Sequence, residues 1–181
     1  MALTLISTHT ASADSSIDIT SGITSTYDSY EWHFVNMHPA TDEVWFQFQV
    51  NADGASGFNE TITSTYFKAE HSEGGAGGSV AYSGGNDQAE GTAFQRFTYS
   101  QQMDTDEAAS GILRLYAPSS TTFAKHFQAT GNYVHHSGHY SQNFFVGGYV
   151  NTTTAIDEIR FMMESGDINA GEIKMYGIKK S

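Results

Sequence analysis

The sequence predicts a single all-β domain over residues 1–181, built as a two-sheet antiparallel sandwich. Three observations predict it. Apolar and polar residues alternate along most of the apolar runs, which is the period of a strand with one face in a core. Clusters of Gly, Asn and Asp separate those runs at short, fairly regular intervals. No long stretch carries the 3.6-residue period of a helix. A chain of 181 residues buries a core of its own without a covalent staple.

Tyr30, Trp32 and Phe34 fall on one face of a strand, with Glu31 and His33 between them. Val44, Phe46, Phe48 and Val50 do the same around Gln47 and Gln49. The pattern recurs from Phe94 to Tyr99, at Leu113 and Leu115, at Phe123, Lys125 and Phe127, at Ile159, Phe161 and Met163, and at Ile173 and Met175. Thr153 to Glu164 offers one turn of helix, but alternation from Ile159 onward favours a strand. Between the runs lie Asn51-Ala52-Asp53-Gly54, Gly74-Gly75-Ala76-Gly77-Gly78, Gly84-Gly85-Asn86-Asp87 and Gly147-Gly148. These residue types tolerate the positive φ of tight reversals. The count comes to roughly ten strands. Gly74 to Gly85 lacks both the Gly-Lys-Ser/Thr ending and the following helix of a phosphate loop, so it reads as a surface loop.

Two short echoes run through the chain. Ser110-Gly111-Ile112-Leu113-Arg114-Leu115-Tyr116 parallels Ala170-Gly171-Glu172-Ile173-Lys174-Met175-Tyr176, and Ile23-Thr24-Ser25-Thr26-Tyr27 parallels Ile62-Thr63-Ser64-Thr65-Tyr66. Neither has the fixed period of a repeat array, and equivalent positions in opposed sheets would account for both.

Twenty acidic against eight basic residues give a net charge of −12, which argues against nucleic acid and anionic membrane as partners. The first 95 residues hold Lys68 as their sole base, which predicts a strongly anionic part of the surface. With no cysteine there is no disulfide framework, thiolate nucleophile or sulfur-ligated metal. The N-terminal residues lack the basic start of a signal peptide, and no stretch reaches membrane-spanning length, so synthesis and residence in solution are expected.

His135, His136 and His139, with His126 before them, have the residue type of a transition-metal site. His135 and His136 point to opposite faces of a strand, however, so at most one joins His139 without a tight turn at Gly138. They read as loop histidines, and no metal or other cofactor is expected. Asp104-Thr105-Asp106-Glu107 lacks the Gly and the distant Glu of an EF-hand. It reads as an acidic turn, with calcium held between loops by Asp104, Asp106 or Asp87 as the rival reading. No Gly-x-Ser-x-Gly elbow is present and no carboxylate pair stands out, so no catalytic residue is assigned and no enzyme is expected. Tyr133, His139, Tyr140 and Tyr149 flank polar or glycine positions and are the candidate contacts for a glycan or a protein partner. Packing in the core or at a subunit interface is the competing reading of the tyrosines.

Tyr30-Glu31-Trp32-His33-Phe34-Val35-Asn36-Met37-His38-Pro39-Ala40-Thr41-Asp42, followed by Phe46-Gln47-Phe48-Gln49, resembles a group of small virion proteins from tailed phages of marine bacteria. Glu164-Ser165-Gly166-Asp167-Ile168-Asn169-Ala170-Gly171-Glu172-Ile173-Lys174-Met175-Tyr176-Gly177-Ile178 looks like the ending of that group. With Pro118-Ser119-Ser120-Thr121-Thr122-Phe123 and Asn151-Thr152-Thr153-Thr154-Ala155-Ile156-Asp157, the likeness spans nearly the whole chain. The resemblance implies a lectin-like sandwich, jelly-roll or concanavalin-like in type, and a virion structural protein of the head surface or a fibre. It carries over no catalytic residue.

No coiled-coil or collagen-like shaft accompanies the strands. The expectation is therefore a non-enzymatic protein on the particle exterior, made in the host cytoplasm and seated as capsid decoration, cement or a short head fibre. Its expected partners are the major capsid protein, other virion proteins, and itself as a homo-oligomer, with a trimer favoured. The alternative is a tail-fibre tip or a glycan-binding module for host surface polysaccharide.

Overall fold

The computed structural model describes residues 2–75 and 77–179. Among these, twelve strands follow one another: β1 (Leu3–Asp14), β2 (Ile17–Ile19), β3 (Ser29–Pro39), β4 (Phe46–Ala52), β5 (Ile62–Ser72), β6 (Gly78–Tyr82), β7 (Gln95–Arg96), β8 (Ala109–Tyr116), β9 (Lys125–His135), β10 (Tyr140–Val150), β11 (Ile156–Met163) and β12 (Ile168–Ile178). They form two antiparallel sheets, an eight-stranded one ordered β1-β12-β3-β8-β9-β10-β5-β6 and a four-stranded one ordered β2-β11-β4-β7. This is the predicted all-β two-sheet sandwich, in a single compact domain.

The core fills the space between the sheets because each alternating run turns its apolar face there. Tyr30, Trp32 and Phe34 of β3 are buried, as are Phe46, Phe48 and Val50 of β4 and Ile159, Phe161 and Met163 of β11. Their rings interlock across the gap. Phe34 meets Phe46 edge to face at 5.2 Å, Trp32 lies 6.2 Å from Phe161, and Phe48 meets Phe127 of β9 edge to face at 5.2 Å.

The small sheet departs from simple alternation. Gln47, Gln49 and Asn51 alternate with the apolar residues of β4 and yet are buried, because loops cover its outer face. The Gln49 Nε2 donates to the carbonyls of Glu60 at 3.0 Å and Ala93 at 3.1 Å, and the Gln95 Nε2 donates to that of Asn86 at 2.9 Å. Buried amides thus satisfy loop carbonyls that would otherwise lack partners.

Several local expectations are corrected. Of Phe94 to Tyr99 only Gln95–Arg96 is strand, since the segment follows β4 for two residues before bending away. Phe123 is 71 % exposed and precedes β9, while the Lys125 side chain is fully buried. Its ammonium donates to the carbonyls of Phe123 at 2.8 Å and Thr152 at 3.1 Å, and burial pushes its pKa down. The glycine-rich stretch holds the edge strand β6 between its two glycine clusters, and its Ala76 lies outside the described residues.

The first echo arises within one sheet rather than across two. β8 and β12 flank β3, with Leu113 and Met175 both opposite Trp32. In the second, Ile62 opens β5, whereas Ile23 is a buried residue in the irregular segment between β2 and β3. The strand order also interleaves early and late segments, as in β1-β12-β3-β8, so the charge imbalance along the chain does not become a division of the molecule into halves.

Candidate functional site

The four candidate contact residues do not converge. Tyr133 is fully buried; its hydroxyl accepts from the Tyr99 N–H at 3.0 Å, and the Tyr99 carbonyl at 3.0 Å and the Gln142 Oε1 share its one proton as acceptors. It is a core residue and has no free face for a ligand, which corrects its assignment. Burial drives its hydroxyl pKa far above the usual value. Tyr140 opens β10 and Tyr149 is its last residue but one, an odd number of residues on, so they lie on opposite faces of the large sheet. Tyr149 is on the outer face, its ring 6.0 Å from His126 of β9. His139 sits in the β9–β10 turn at φ 46, after Gly138 at φ 77.

The histidines likewise diverge. His139 Nδ1 meets Glu107 at 3.2 Å, and that contact holds its pKa above the usual value. His136 lies between two carboxylates, with Nδ1 at 3.1 Å from Asp42 and Nε2 at 2.8 Å from Glu43. Burial lowers the pKa of His135, whose side chain lies among aromatic rings. Among the described residues no three His, Cys, Asp or Glu side chains are grouped to hold a metal ion. Asp104 accepts from the Gln102 amide at 3.0 Å and Asp87 accepts from the Tyr82 hydroxyl, so these acids serve separate loops.

What the structure does assemble is an aromatic strip along one side of the sandwich. The Arg96 guanidinium lies 4.2 Å above the Trp45 ring, a cation–π contact. Trp45 is 6.1 Å from Tyr99, Tyr99 is 5.8 Å from His135, and His135 is 6.5 Å edge to face from Tyr140. These residues come from β7, the β3–β4 loop, the β7–β8 loop, the end of β9 and the start of β10. Spacing within any one strand could not reveal the strip, because each element supplies a single residue. Tyr140 was the member legible from the sequence, and His135 was noted there for metal chemistry.

A cleft lies at each end of the strip. The first, of about 390 Å3, is lined by Gln47, Asn86, Asp87, Gln88, Arg96 and Glu164 among others. The second, of about 220 Å3, is lined by Glu70, Gly77, Gly78, Ser79 and Tyr140. Burial alone would raise the Glu70 pKa, but hydrogen bonds from Lys68 at 2.8 Å and Ser79 at 2.9 Å, with the Lys68 charge and the Gln142 amide, outweigh it and hold it below the usual value. Stacking surfaces between carboxylate- and amide-lined clefts suit a polyhydroxylated ligand.

A second surface lies on the outer face of the large sheet, towards its β6 edge. Phe67 of β5 stacks on Phe145 of β10 at 4.8 Å, and Tyr82 of β6 lies directly across from Phe67. Phe67 is 44 % exposed, Tyr82 60 % and Val80 76 %.

The fold is a two-sheet β-sandwich that carries these two surfaces. No family model, curated protein or solved structure matches the chain.

Proposed function

We propose that this chain is a non-enzymatic structural protein of a tailed-phage particle, seated on the outside of the capsid as decoration, cement or a short head fibre. The observation that carries the reading is the exposed patch of Phe67, Val80 and Tyr82 on the outer face of a sheet that ends there in an unpaired edge. Contiguous exposed apolar side chains beside open backbone groups are features of a surface built to be covered. The likeness to small virion proteins names the setting in which such a surface is covered. The mechanism is passive: contacts between neighbouring capsid subunits and this protein bind the assembled state alone and stabilise it by mass action.

The test is reconstitution. Capsids lacking the protein are mixed with it and bound copies are counted by imaging at a resolution that traces the chain. Saturable binding at the copy number of a capsid lattice is expected, with thermal disruption of the shell shifted upward. Binding of only a few copies at the tail would overturn the capsid assignment in favour of a fibre tip.

The aromatic strip favours a second reading, a module that binds host surface polysaccharide. Tyr99 is 41 % exposed and Tyr140 borders the smaller cleft. On this reading Tyr99→Ala and Tyr140→Ala each weaken binding to purified host polysaccharide without loss of folding. Absence of binding by the unaltered protein would remove it.

A further inference from the structure

The large sheet has two edges, and they are finished differently. β1 carries a register shift between Leu5 and Ser7, a bulge of the kind that blunts an edge against further pairing. β6 pairs with β5 over its whole length without a shift, and its sequence Gly78-Ser79-Val80-Ala81-Tyr82 holds no charge and no proline. Charge, proline and bulge, three of the usual protections of an edge strand, are absent from it.

The hydrogen bonds flanking β6 show which of its backbone groups are open. The Ser72 N–H donates to the Gly77 carbonyl at 3.3 Å, and the Ser83 N–H donates to the Tyr66 carbonyl at 2.8 Å. In an antiparallel ladder the bonded residues alternate. Residues 77, 79, 81 and 83 therefore turn their backbone groups towards β5, and Gly78, Val80 and Tyr82 turn theirs to the free edge. The side chains of Val80 and Tyr82 stand on the outer face beside that edge, largely exposed.

We propose that β6 is a homodimer interface, pairing antiparallel with β6 of a second copy about a twofold axis at Val80. In this register Val80 faces Val80 of the second copy, and Tyr82 faces Gly78 of the second copy in both directions. Each such pair exchanges two N–H···O=C bonds, because the residues with open backbone groups are the ones brought opposite. The side chains fit the same axis. The space over Gly78 holds the His71 ring, 3.1 Å from where a Cβ would stand, so the opposing phenol meets an imidazole there, and a β-branched pair packs well across strands. Phe67 and Phe145 extend the apolar surface inward from each side of the junction.

A second copy is the occupant favoured over an unrelated strand because, with the axis at Val80, all three residues with open backbone groups meet one another, as an isologous contact requires. Charge points the same way. Two chains of net charge −12 repel, and β6 offers a contact free of charged side chains. The nearby carboxylate of Glu70 is paired with Lys68, and that of Asp87 accepts from the Tyr82 hydroxyl. Antiparallel pairing at one edge closes as a dimer, so the trimer expected from the sequence cannot be built through this contact.

The experiment is sedimentation of the full chain over a concentration series at low and high salt. A dimer is expected, tighter at high salt because screening relieves the repulsion between copies. Val80→Lys is expected to weaken association by about tenfold or more, since like charges would then lie directly opposite each other, with its circular dichroism unchanged. Val80→Glu does the same alone, and mixing the two variants restores a heterodimer, because residue 80 meets residue 80. A monomer at every concentration, an undiminished Val80→Lys dimer, or no rescue on mixing would each overturn the proposal. Edge pairing takes up the backbone groups of β6 and leaves the Phe67 and Phe145 face open to a capsid, so a monomer that still saturates capsids would sink the dimer alone, and a dimer that ignores capsids would sink the capsid assignment alone.

Discussion

The ring of Phe144 on β10 lies against the bare backbone of Gly131, its cross-strand partner on β9. A Cβ at Gly131 would stand 2.6 Å from the Phe144 Cζ, and one at Gly111, the partner of Gly131 on β8, would stand 3.0 Å from the same atom and 2.6 Å from the Thr130 carbonyl oxygen. One ring thus spans three strands by lying over two glycines. Phe127 repeats the arrangement over Gly148 of β10, where a Cβ would come within 2.9 Å of the ring. These glycines are sites of close approach and not of turning.

Gly131→Ala should therefore overpack the inner face of the large sheet. The expected loss is about 1–3 kcal/mol, read from urea denaturation, because neither the Ser110 carbonyl, which a Cβ at Gly131 also meets, nor the Phe144 ring can move aside freely. Gly147→Ala is the control. A Cβ there meets nothing within 4 Å, and the expected change is within about 0.5 kcal/mol. Equal effects at the two positions would show that Phe144 is not held by the glycines beneath it.

The second prediction separates the buried tyrosine from the exposed one. Tyr133→Phe removes a hydroxyl that hydrogen bonds to Gln142 and to both backbone groups of Tyr99, leaving buried polar atoms without a partner. A loss of about 1–3 kcal/mol is expected. Tyr140→Phe keeps the ring of the strip and should change stability by no more than about 0.5 kcal/mol. A destabilised Tyr140→Phe with an unaffected Tyr133→Phe would invert the assignment of core and surface.

How much of this was legible in the sequence depends on the range of the interaction. Period-two alternation placed Tyr30, Trp32 and Phe34 of β3 and Ile159, Phe161 and Met163 of β11 on the core side, because that signal is local. It missed β6, whose glycines and exposed face lack alternation, and it could not show that Gln47 and Gln49 are buried, since distant loops cover them. The site was less legible. Tyr133 and Tyr140 flank the same hairpin, yet burial separates them. Trp45, Tyr99 and Arg96 join Tyr140 in one strip through tertiary packing alone.

The acid limb of stability should run through Glu31. Burial pushes its carboxyl pKa up, but hydrogen bonds from His33 and Arg114, with their charges, outweigh burial and bring it below the usual 4.5. A carboxyl whose folded pKa lies below its unfolded one adds stability above the unfolded value, and that stability is lost as pH falls through the folded one. Thermal midpoints should therefore drop on acidification below pH 4.5, and Glu31→Gln should flatten part of that drop. A Glu31→Gln profile parallel to that of the unaltered protein would place the acid sensitivity elsewhere, with Asp18 and its Arg160 partner next in line.

Asp157 should act with the opposite sign. Burial, and then the neighbouring charges of Asp53 and Glu158, push its carboxyl above the usual 3.8, and its Oδ1 is buried without a hydrogen-bond partner. A raised folded pKa means that the folded state binds the proton more tightly than the unfolded chain does, so ionisation of Asp157 costs stability. The cost is absent below pH 3.8 and complete once pH exceeds the raised folded value. Asp157→Asn removes the charge while keeping the shape. It is expected to raise the thermal midpoint at pH 7, and the gain should shrink towards zero as pH falls below 3.8. A lower midpoint at pH 7 would mean that the carboxylate makes a favourable contact that outweighs its burial and the repulsion from Asp53 and Glu158.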